Sequence, residues 1–274
     1  MKKIIFIVSL VVFVALCVLF NSYDLDISIA LTKHNNGFFE FLDDFGEMPI
    51  YIGPILFGST FFFLFKKNYQ KIISLLVSFV AYAIASVKVL HNVNFSFSAW
   101  NIVLCLVTSI LLTTLTTFLF SKIKRETLEK IKDLAVLGVC VSVVSFGITE
   151  VIKYTWGRVR FRDLSPDYSE FTKLFHINGL TGHKSFPSGH TNAGTSILLI
   201  ALLVPRFSDK KWLKYLVTSL CFVYIATLAI SRIFVSAHYA SDVLVGFVVG
   251  FTSLSVIYSI FRRKGVINVA SNKC

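Results

Sequence analysis

The chain has 274 residues, of which 55% are hydrophobic and only 15% are charged, and its mean hydropathy is +0.74. This composition excludes a soluble protein, because so much apolar surface could not be covered in water. The net charge of +12 would suit a nucleic-acid-binding protein, but the basic residues lie in short loops between apolar segments, so the charge reports membrane topology and no nucleic-acid partner is expected.

Apolar runs recur along the chain at the length that an α-helix needs to cross the hydrocarbon core of a bilayer. They predict an all-α fold, a polytopic transmembrane helix bundle with about eight spans. The sixth span is the shortest and ends at Pro205. The predicted spans are residues 4–20, 50–65, 72–90, 101–120, 134–152, 190–205, 213–230 and 240–261.

The first predicted span follows Lys2 and Lys3. A basic start before an apolar run also fits a cleaved signal peptide. The run is longer than the apolar part of a usual signal peptide and has no clear small-x-small cleavage site, which favours a retained helix.

The loops between the spans differ in charge from one side of the membrane to the other. Basic residues concentrate on one side, which the positive-inside rule makes the cytoplasm. The short loop near residues 91–98, on the other side, carries almost no charge. The basic residues are Lys2, Lys3, Lys66, Lys67, Lys71, Lys122, Lys124, Arg125, Lys130, Lys132, Arg206, Lys210, Lys211, Lys214, Arg262, Arg263 and Lys264.

The first loop on the outer side is predicted at residues 21–49. It contains more acidic than basic residues, as expected of an exported loop. Within it, residues 36–47 place phenylalanines mostly on one helical face and carboxylates mostly on the other. This stretch could be a helix in the headgroup plane near the site, a plain loop, or the start of the second span. The acidic residues of the loop are Asp24, Asp26, Glu40, Asp43, Asp44 and Glu47.

The outer loop between the fifth and sixth spans breaks the charge rule because it is basic. Basic residues on the wrong side of a membrane oppose the preferred topology, so we expect them to bind an anion. The alternative is simple pairing with the carboxylates of the same loop, Asp163, Asp167 and Glu170. The basic residues of this loop and of the helix end before it are Lys153, Arg158, Arg160, Arg162, Lys173 and Lys184.

Two short segments combine residues that suit phosphate chemistry. Residues 185–190, Ser-Phe-Pro-Ser-Gly-His, lead into the sixth span, so Ser188 and the Gly189 N–H would meet a phosphate at a helix N-terminus beside His190. The alternative is an ordinary helix cap with His190 at the membrane interface.

The second segment contains Ser231 and Arg232, followed by His238 and Asp242. Positions four apart share one face of a helix, so Asp242 could accept a proton from one imidazole nitrogen and leave the other free to attack phosphorus. The alternative is a buried histidine–aspartate bond that only joins helices.

Together these residues resemble the three ordered motifs of the type 2 phosphatidic acid phosphatase superfamily, the membrane lipid phosphate phosphatases. The first motif is Lys153 with Arg160, the second is residues 187–190, and the third is Ser231 and Arg232 with His238 and Asp242. The resemblance covers roughly residues 150–261. The first motif departs from the family pattern because Phe161 replaces the usual proline, so Arg158 or Arg162 could share the role of Arg160.

The resemblance implies a six-helix phosphatase-type core and a division of roles. His238 would attack phosphorus and form a phosphohistidine, Asp242 would orient His238, and His190 would protonate the leaving oxygen and later activate water. No metal and no cofactor are implied. The implied phosphate-binding residues are Lys153, Arg160, Ser188, Gly189 and Arg232.

The sequence is therefore expected to contain an N-terminal transmembrane region at residues 1–132, a catalytic region at residues 133–264 and a cytoplasmic tail at residues 265–274. The expected activity is hydrolysis of a lipid phosphomonoester or diphosphate at the periplasmic face of a bacterial inner membrane. Candidate substrates are lipid A, undecaprenyl diphosphate, phosphatidylglycerophosphate and phosphatidate. The sequence specifies neither the lipid nor the oligomeric state.

Three other functions are alternatives to hydrolysis. A lipid phosphotransferase would use the same phosphohistidine with another acceptor. Vanadate-dependent haloperoxidases share the motifs but are soluble, and an anion transporter would more often show broken helices and an internal repeat. The five cysteines, Cys17, Cys105, Cys140, Cys221 and Cys274, have no metal-binding or disulfide spacing, so packing roles are expected.

Overall fold

The computed structural model describes residues 2–92 and 98–267, and these residues form an all-helical bundle, which confirms the predicted fold class. Three short 3₁₀ turns, Met48–Tyr51, Phe161–Asp163 and Thr195–Ile197, accompany the α-helices. The helices are α1 (Lys2–Thr32), α2 (Gly37–Phe45), α3 (Ile52–Leu64), α4 (Asn68–Asn92), α5 (Ala99–Ser121), α6 (Arg125–Trp156), α7 (Gly189–Gly194), α8 (Leu198–Phe207), α9 (Lys211–Phe234) and α10 (Ala240–Arg263).

Within the described ranges, seven helical segments are long and apolar enough to cross a membrane, against about eight expected. The difference lies at predicted span 190–205, which is built from α7, a 3₁₀ turn and α8 rather than from one apolar helix. The first half of this predicted span can be polar because it lies inside the bundle, where its side chains contact protein rather than lipid. Thr191, Asn192 and Thr195 are each at most 2% exposed.

Residues 21–49 are mostly helical and do not form the expected acidic loop. Helix α1 continues to Thr32, twelve residues past the predicted end of the first span at residue 20, and α2 follows after a short break. Helix α1 can carry Asp24 because this carboxylate is fully buried beside Arg158 and needs no water.

Helix α2 occupies most of the amphipathic stretch at residues 36–47. Asn36 caps it, because its side-chain oxygen accepts hydrogen bonds from the N–H groups of Phe38 and Phe39 at 3.1 and 3.3 Å. The Phe39 ring packs on Phe234 of α9 with ring centroids 4.3 Å apart. This stretch is therefore a helix that packs on the bundle, and it forms the first part of the candidate membrane span Gly37–Leu64. Its depth in the headgroup plane stays a prediction.

Helix α6 is the central element and contacts both halves of the chain. Gly138 of α6 lies against Gly53 of α3 so closely that a Cβ on Gly53 would fall 2.3 Å from the Gly138 carbonyl carbon. Such small-residue contacts let membrane helices approach each other. At its other end α6 stops at Gly157, whose φ of 58° is left-handed and suits glycine.

The basic loops and the motif residues lie at opposite ends of the bundle. At one end, Arg125 donates to the carbonyl of Phe63 at 3.2 Å, and Arg206 pairs with Asp133 at 2.5 Å. At the other end lie the C-terminus of α6 and the N-termini of α7 and α10. This separation is what the charge pattern required, and the side that faces the cytoplasm stays a prediction.

Some expectations fall wholly or partly beyond the described ranges. Residues 93–97 of the predicted loop near 91–98, and residues 268–274 of the predicted tail, lie outside the described residues. So does Cys274. The other four cysteines are free thiols, and three of them are buried.

Candidate active site

The three motifs meet at one end of the bundle, although they are far apart in sequence. The C-terminal part of α6 brings Lys153, the loop after it brings Arg160, and the start of α7 brings His190. The connection between α9 and α10 brings His238. All four side chains line one cavity.

His238 and Asp242 are neighbours, but not through the helical face that the sequence suggested. His238 precedes α10, whereas Asp242 lies in its first turn, where its Oδ2 accepts the Tyr239 N–H at 3.1 Å. His238 Nδ1 is 3.6 Å from Asp242 Oδ2. This distance exceeds a hydrogen bond, so in this state the carboxylate orients the ring mainly by charge. Catalytic hydrogen bonds often shorten only when substrate binds.

His238 is held as a neutral imidazole. Its side chain is 2% exposed, and burial lowers its pKa to about 3. A positive charge would lose its hydration at this position, and the nearby Asp242 only partly compensates for that loss. A neutral ring keeps a free lone pair, which a nucleophile needs.

Asp242 accepts hydrogen bonds from two side chains between α6 and α7, in addition to the Tyr239 N–H. Its Oδ1 accepts a hydrogen bond from Arg158 at 2.7 Å, and its Oδ2 accepts one from the Ser185 hydroxyl at 2.6 Å. Arg158 has no exposed surface and stacks on the Tyr239 ring, with its guanidinium carbon 4.0 Å from the centroid. Arg158 thus binds a carboxylate of the site, which corrects the expectation that it could share the anion-binding role of Arg160.

His190 lies under α2. Its Nε2 is 2.9 Å from the backbone carbonyl oxygen of Asp43 and 3.8 Å from Glu47 Oε2. Because a carbonyl oxygen only accepts, Nε2 carries the hydrogen in this state. His190 therefore donates a hydrogen bond through Nε2 to the backbone of α2.

Ser188 performs the ordinary capping role that the sequence analysis kept as an alternative. Its hydroxyl oxygen accepts the Thr191 N–H at 3.3 Å, and its own N–H donates to the Asp242 carbonyl at 2.9 Å. This backbone bond ties the second motif to the third. Next to it, a Cβ on Gly189 would meet Lys153 Nζ at 2.8 Å, so the absence of a side chain lets the first motif approach the second.

The remaining cations differ in how they are paired. Lys153 contacts Glu150 at 3.0 Å, and Arg162 is exposed to solvent. Arg232 is buried and forms an ion pair with Asp43 of α2. Its Nε has no hydrogen-bond partner among the residues that the structure describes, so it can donate to a further acceptor.

The cavity that holds these side chains has a volume of about 770 Å³ and extends far from them. Its polar end includes Glu47, Lys88 and Glu150, and Glu47 and Lys88 form an ion pair. Its other walls are apolar. They include Pro54 of α3, Val139, Val143 and Phe146 of α6, and Ile73, Leu76, Val77, Val80, Ala81 and Ile84 of α4.

The site residues from outside the motifs were not predicted individually, although one alternative for residues 36–47 had placed that stretch near the site. Asp24, Asp43, Glu47 and Lys88 all precede residue 93 and carry no motif. One signal was available, because a carboxylate beside an apolar run needs a partner or a purpose, and Asp24 follows such a run closely. Over the described ranges, no group of three or more histidine, cysteine, aspartate or glutamate side chains is arranged to hold a metal ion.

Comparison with known proteins agrees with the motif resemblance. Residues 134–265 match the model of the PAP2 superfamily, the type 2 phosphatidic acid phosphatases. Relatives include lipid A 1-phosphatases of Rhizobium johnstonii and Rhizobium etli, each 32% identical over 127 residues. The alignments cover 44% of this chain and 45% and 47% of the relatives, so the match spans slightly less than half the length of each relative. No solved structure matches the chain.

Proposed function

We propose, from the PAP2 superfamily domain that residues 134–265 form, that this protein is an integral membrane phosphatase that removes phosphate from a lipid. Seven apolar helical segments within residues 2–92 and 98–267 support the membrane location. The two relatives named lipid A 1-phosphatase make lipid A the first substrate to test. Undecaprenyl diphosphate, phosphatidylglycerophosphate and phosphatidate complete the panel.

The observation that carries the proposal is the cavity, because one continuous space is lined by both histidines and by apolar walls. Along α4 its lining runs from Ile73 to Lys88, which corresponds to about 22 Å of helix. The hydrocarbon core of a bilayer is about 30 Å thick, so the lined length of α4 exceeds the thickness of one leaflet. The cavity is therefore long enough to take an acyl chain. A water-soluble phosphate ester would leave these walls unused.

The chemistry begins with attack by His238. Its free Nε2 lone pair forms a bond to phosphorus while the bond from phosphorus to the lipid oxygen breaks. For this step His190 carries a proton on both ring nitrogens; it gives the Nε2 proton to the leaving oxygen and becomes neutral, and that oxygen departs as a lipid alcohol, or as a lipid phosphate when the substrate is a diphosphate. A water then attacks phosphorus, His190 takes a proton from it, and the broken bond to His238 returns the lone pair and releases inorganic phosphate.

Charge stabilisation would come from the cations around this end of the cavity. Lys153 and Arg160 line it, and Arg232 lies behind α2 with its unpartnered Nε. Phosphoryl transfer depends mainly on positioning and on such stabilisation of the equatorial oxygens. Asp43 forms an ion pair with Arg232, so we expect an incoming phosphoryl group to displace this carboxylate.

The test is release of inorganic phosphate from the lipid panel in detergent, with EDTA present. We expect release from at least one lipid and no requirement for an added metal ion. Failure to hydrolyse any of them contradicts the proposal. Transfer of the phosphate to an added alcohol or lipid, without free phosphate, would instead identify a phosphotransferase.

The proposal also places the site at the periplasmic face of the bacterial inner membrane. The basic loops at the opposite end of the bundle support this orientation. A single cysteine introduced at Lys210, in a variant without the native cysteines, should resist a membrane-impermeant thiol reagent in intact cells. A cysteine at exposed Leu180 should react. The reverse pattern would overturn the orientation.

A further inference from the structure

Asp24 is a carboxylate of the first helix that has no exposed surface. It lies in the C-terminal third of the candidate membrane span Ile7–Thr32, outside the part of the chain that matches the PAP2 superfamily. An ionised group at such a place is costly unless it is paired, and it marks a function more often than not.

Its contacts lead directly to the catalytic pair. Asp24 Oδ2 accepts a hydrogen bond from Arg158 at 3.0 Å, and the other terminal nitrogen of the same guanidinium donates to Asp242 at 2.7 Å. Arg158 is therefore a bridge with one carboxylate on each side. These three residues are separated by 134 and 84 positions in sequence, so only the folded chain brings them together.

A second path joins the same residues through Ser241, the neighbour of Asp242. Asp24 Oδ1 accepts the Ser241 N–H at 2.9 Å, and the Ser241 hydroxyl donates to Asp24 Oδ2. Arg158 donates to the Ser241 hydroxyl oxygen at 2.8 Å. Asp24 thus binds the first turn of α10, which is the turn that carries Asp242.

We infer that Asp24 is a positioning residue for the reaction proposed above, acting on Asp242 and His238 through Arg158 and Ser241. It does not line the cavity and does not touch the substrate. The inference rests on the proposed function, because it assigns a role within that reaction.

The physical reason lies in the charge balance of the bridge. His238 gains positive charge as it bonds to phosphorus, and Asp242 stabilises that charge. Arg158 opposes this stabilisation because it draws on the same carboxylate. Asp24 occupies the other half of the guanidinium and leaves the cluster of Arg158, Asp24 and Asp242 with one net negative charge. Without the charge on Asp24, that cluster would be neutral and His238 less well stabilised.

The competing explanation is that Asp24 only anchors α1 to the bundle. The side chains of α1 also pack there by apolar contact, since Ile27 lies against a buried cluster that includes Ile233 and Val243. The two explanations differ in what a change at Asp24 does to binding and to chemistry. An anchor would affect folding, while a positioning residue affects the rate of the bound complex.

The test compares Asp24→Asn with two matched variants of α1. Asp24→Asn keeps the size of the side chain and removes its charge. Asp26→Asn makes the same chemical change at an exposed position two residues away, and Ile27→Ala weakens the packing of α1 without a change in charge. The measurements are kcat and KM for the best lipid, the rate of phosphoenzyme formation after a rapid quench, inhibition by inorganic phosphate, and thermal stability in detergent.

We expect Asp24→Asn to lower kcat and the rate of phosphoenzyme formation about 10- to 100-fold, by analogy with the loss seen when the outer partners of metal-binding side chains are removed. KM and inhibition by phosphate should stay near the wild-type values. Asp26→Asn should behave as wild type, and Ile27→Ala should lower thermal stability with little change in kcat. If Asp24→Asn keeps wild-type kcat, or loses activity only in proportion to lost folded protein, the inference is wrong.

A second variant keeps the inference testable if Asp24→Asn does not fold. Ser241→Ala keeps all three charges and removes only the hydroxyl that links Asp24 and Arg158, so kcat should fall about 10-fold or more, as for loss of a hydrogen bond to a charged group. An unchanged kcat in this variant overturns the inference. Failure of the proposed function looks different, because the wild-type protein would then release no phosphate from any lipid.

Discussion

The C-terminal half of this protein carries the three motifs, whereas helices of the N-terminal half contact the motif residues and line the same cavity. Residues 134–265 supply both histidines and the cations of the three motifs. The helices before α6 supply Asp24 behind the catalytic pair, the acidic helix α2 over His190, and the α4 wall of the cavity. The difference teaches that helices without any motif can still contact the motif residues and line the cavity that holds them.

The largest expected effect comes from a substitution in the C-terminal half. His238→Ala should abolish turnover and the acid-labile phosphoenzyme, because no other residue of the site can replace the attacking nitrogen. We expect a loss of at least about 10⁴-fold. Thermal stability in detergent must remain close to wild type for the result to count. A well-folded variant that still hydrolyses lipid at near wild-type rate would refute the mechanism.

The next effect separates the two histidines. His190→Ala should lower kcat for a lipid alcohol leaving group about 10²- to 10⁴-fold, since this oxygen needs a proton as it departs. An activated aryl phosphate leaves without that help and should lose much less. Parallel kinetics on the two substrates measure the difference. Equal losses on both would mean that His190 is not the general acid.

A smaller effect tests whether the N-terminal half holds the lipid. Val77→Trp on α4 adds a large side chain to the cavity wall and should raise KM for a long-chain lipid about 10-fold, as expected if one or two CH₂ groups lose their contacts. Hydrolysis of a water-soluble aryl phosphate should hardly change. Leu106→Trp on exposed α5 is the control, since it lies outside the cavity lining. Equal effects of the two substitutions would contradict the lipid-binding role of the cavity.

The smallest effect concerns pH and the burial of His238. Its folded-state pKa of about 3 lies below the ordinary 6.5, so the unfolded chain binds a proton that the folded chain excludes. The stability that this group contributes is present above about pH 6.5 and falls as the pH drops towards 3. The melting temperature of wild type should therefore fall more steeply than that of His238→Gln between pH 6.5 and 4. Parallel curves would argue against a neutral, buried His238.

Several features of the molecule could be read directly from local sequence. Hydropathy predicts helices because a membrane requires each apolar run to satisfy its own backbone, so the all-α class follows from composition. The motif residues were predictable because each motif keeps its members within a few positions. His190 and His238 line the same cavity, as that reading required.

Other features were beyond local sequence because they depend on which helices pack together. Residues 190–205 look like an uncertain span because their polar first half is buried by protein and not by lipid. Arg158 looked like an anion-binding residue because its neighbours are basic, yet it is fully paired inside the bundle. Charge in a sequence does not reveal its partner.

The sequence by itself determined the membrane helices, the opposite placement of the basic loops and the motif residues, because these depend on hydropathy and on short spacings. Only the tertiary structure decided that Asp24 meets Arg158, that Asp43 holds Arg232, and that α4 closes a cavity over the histidines. Contacts of this kind join distant positions, such as Asp24 and Ser241, which are 217 residues apart. The partner of a buried charge depends on which helices pack together, so it cannot be predicted from a local sequence pattern.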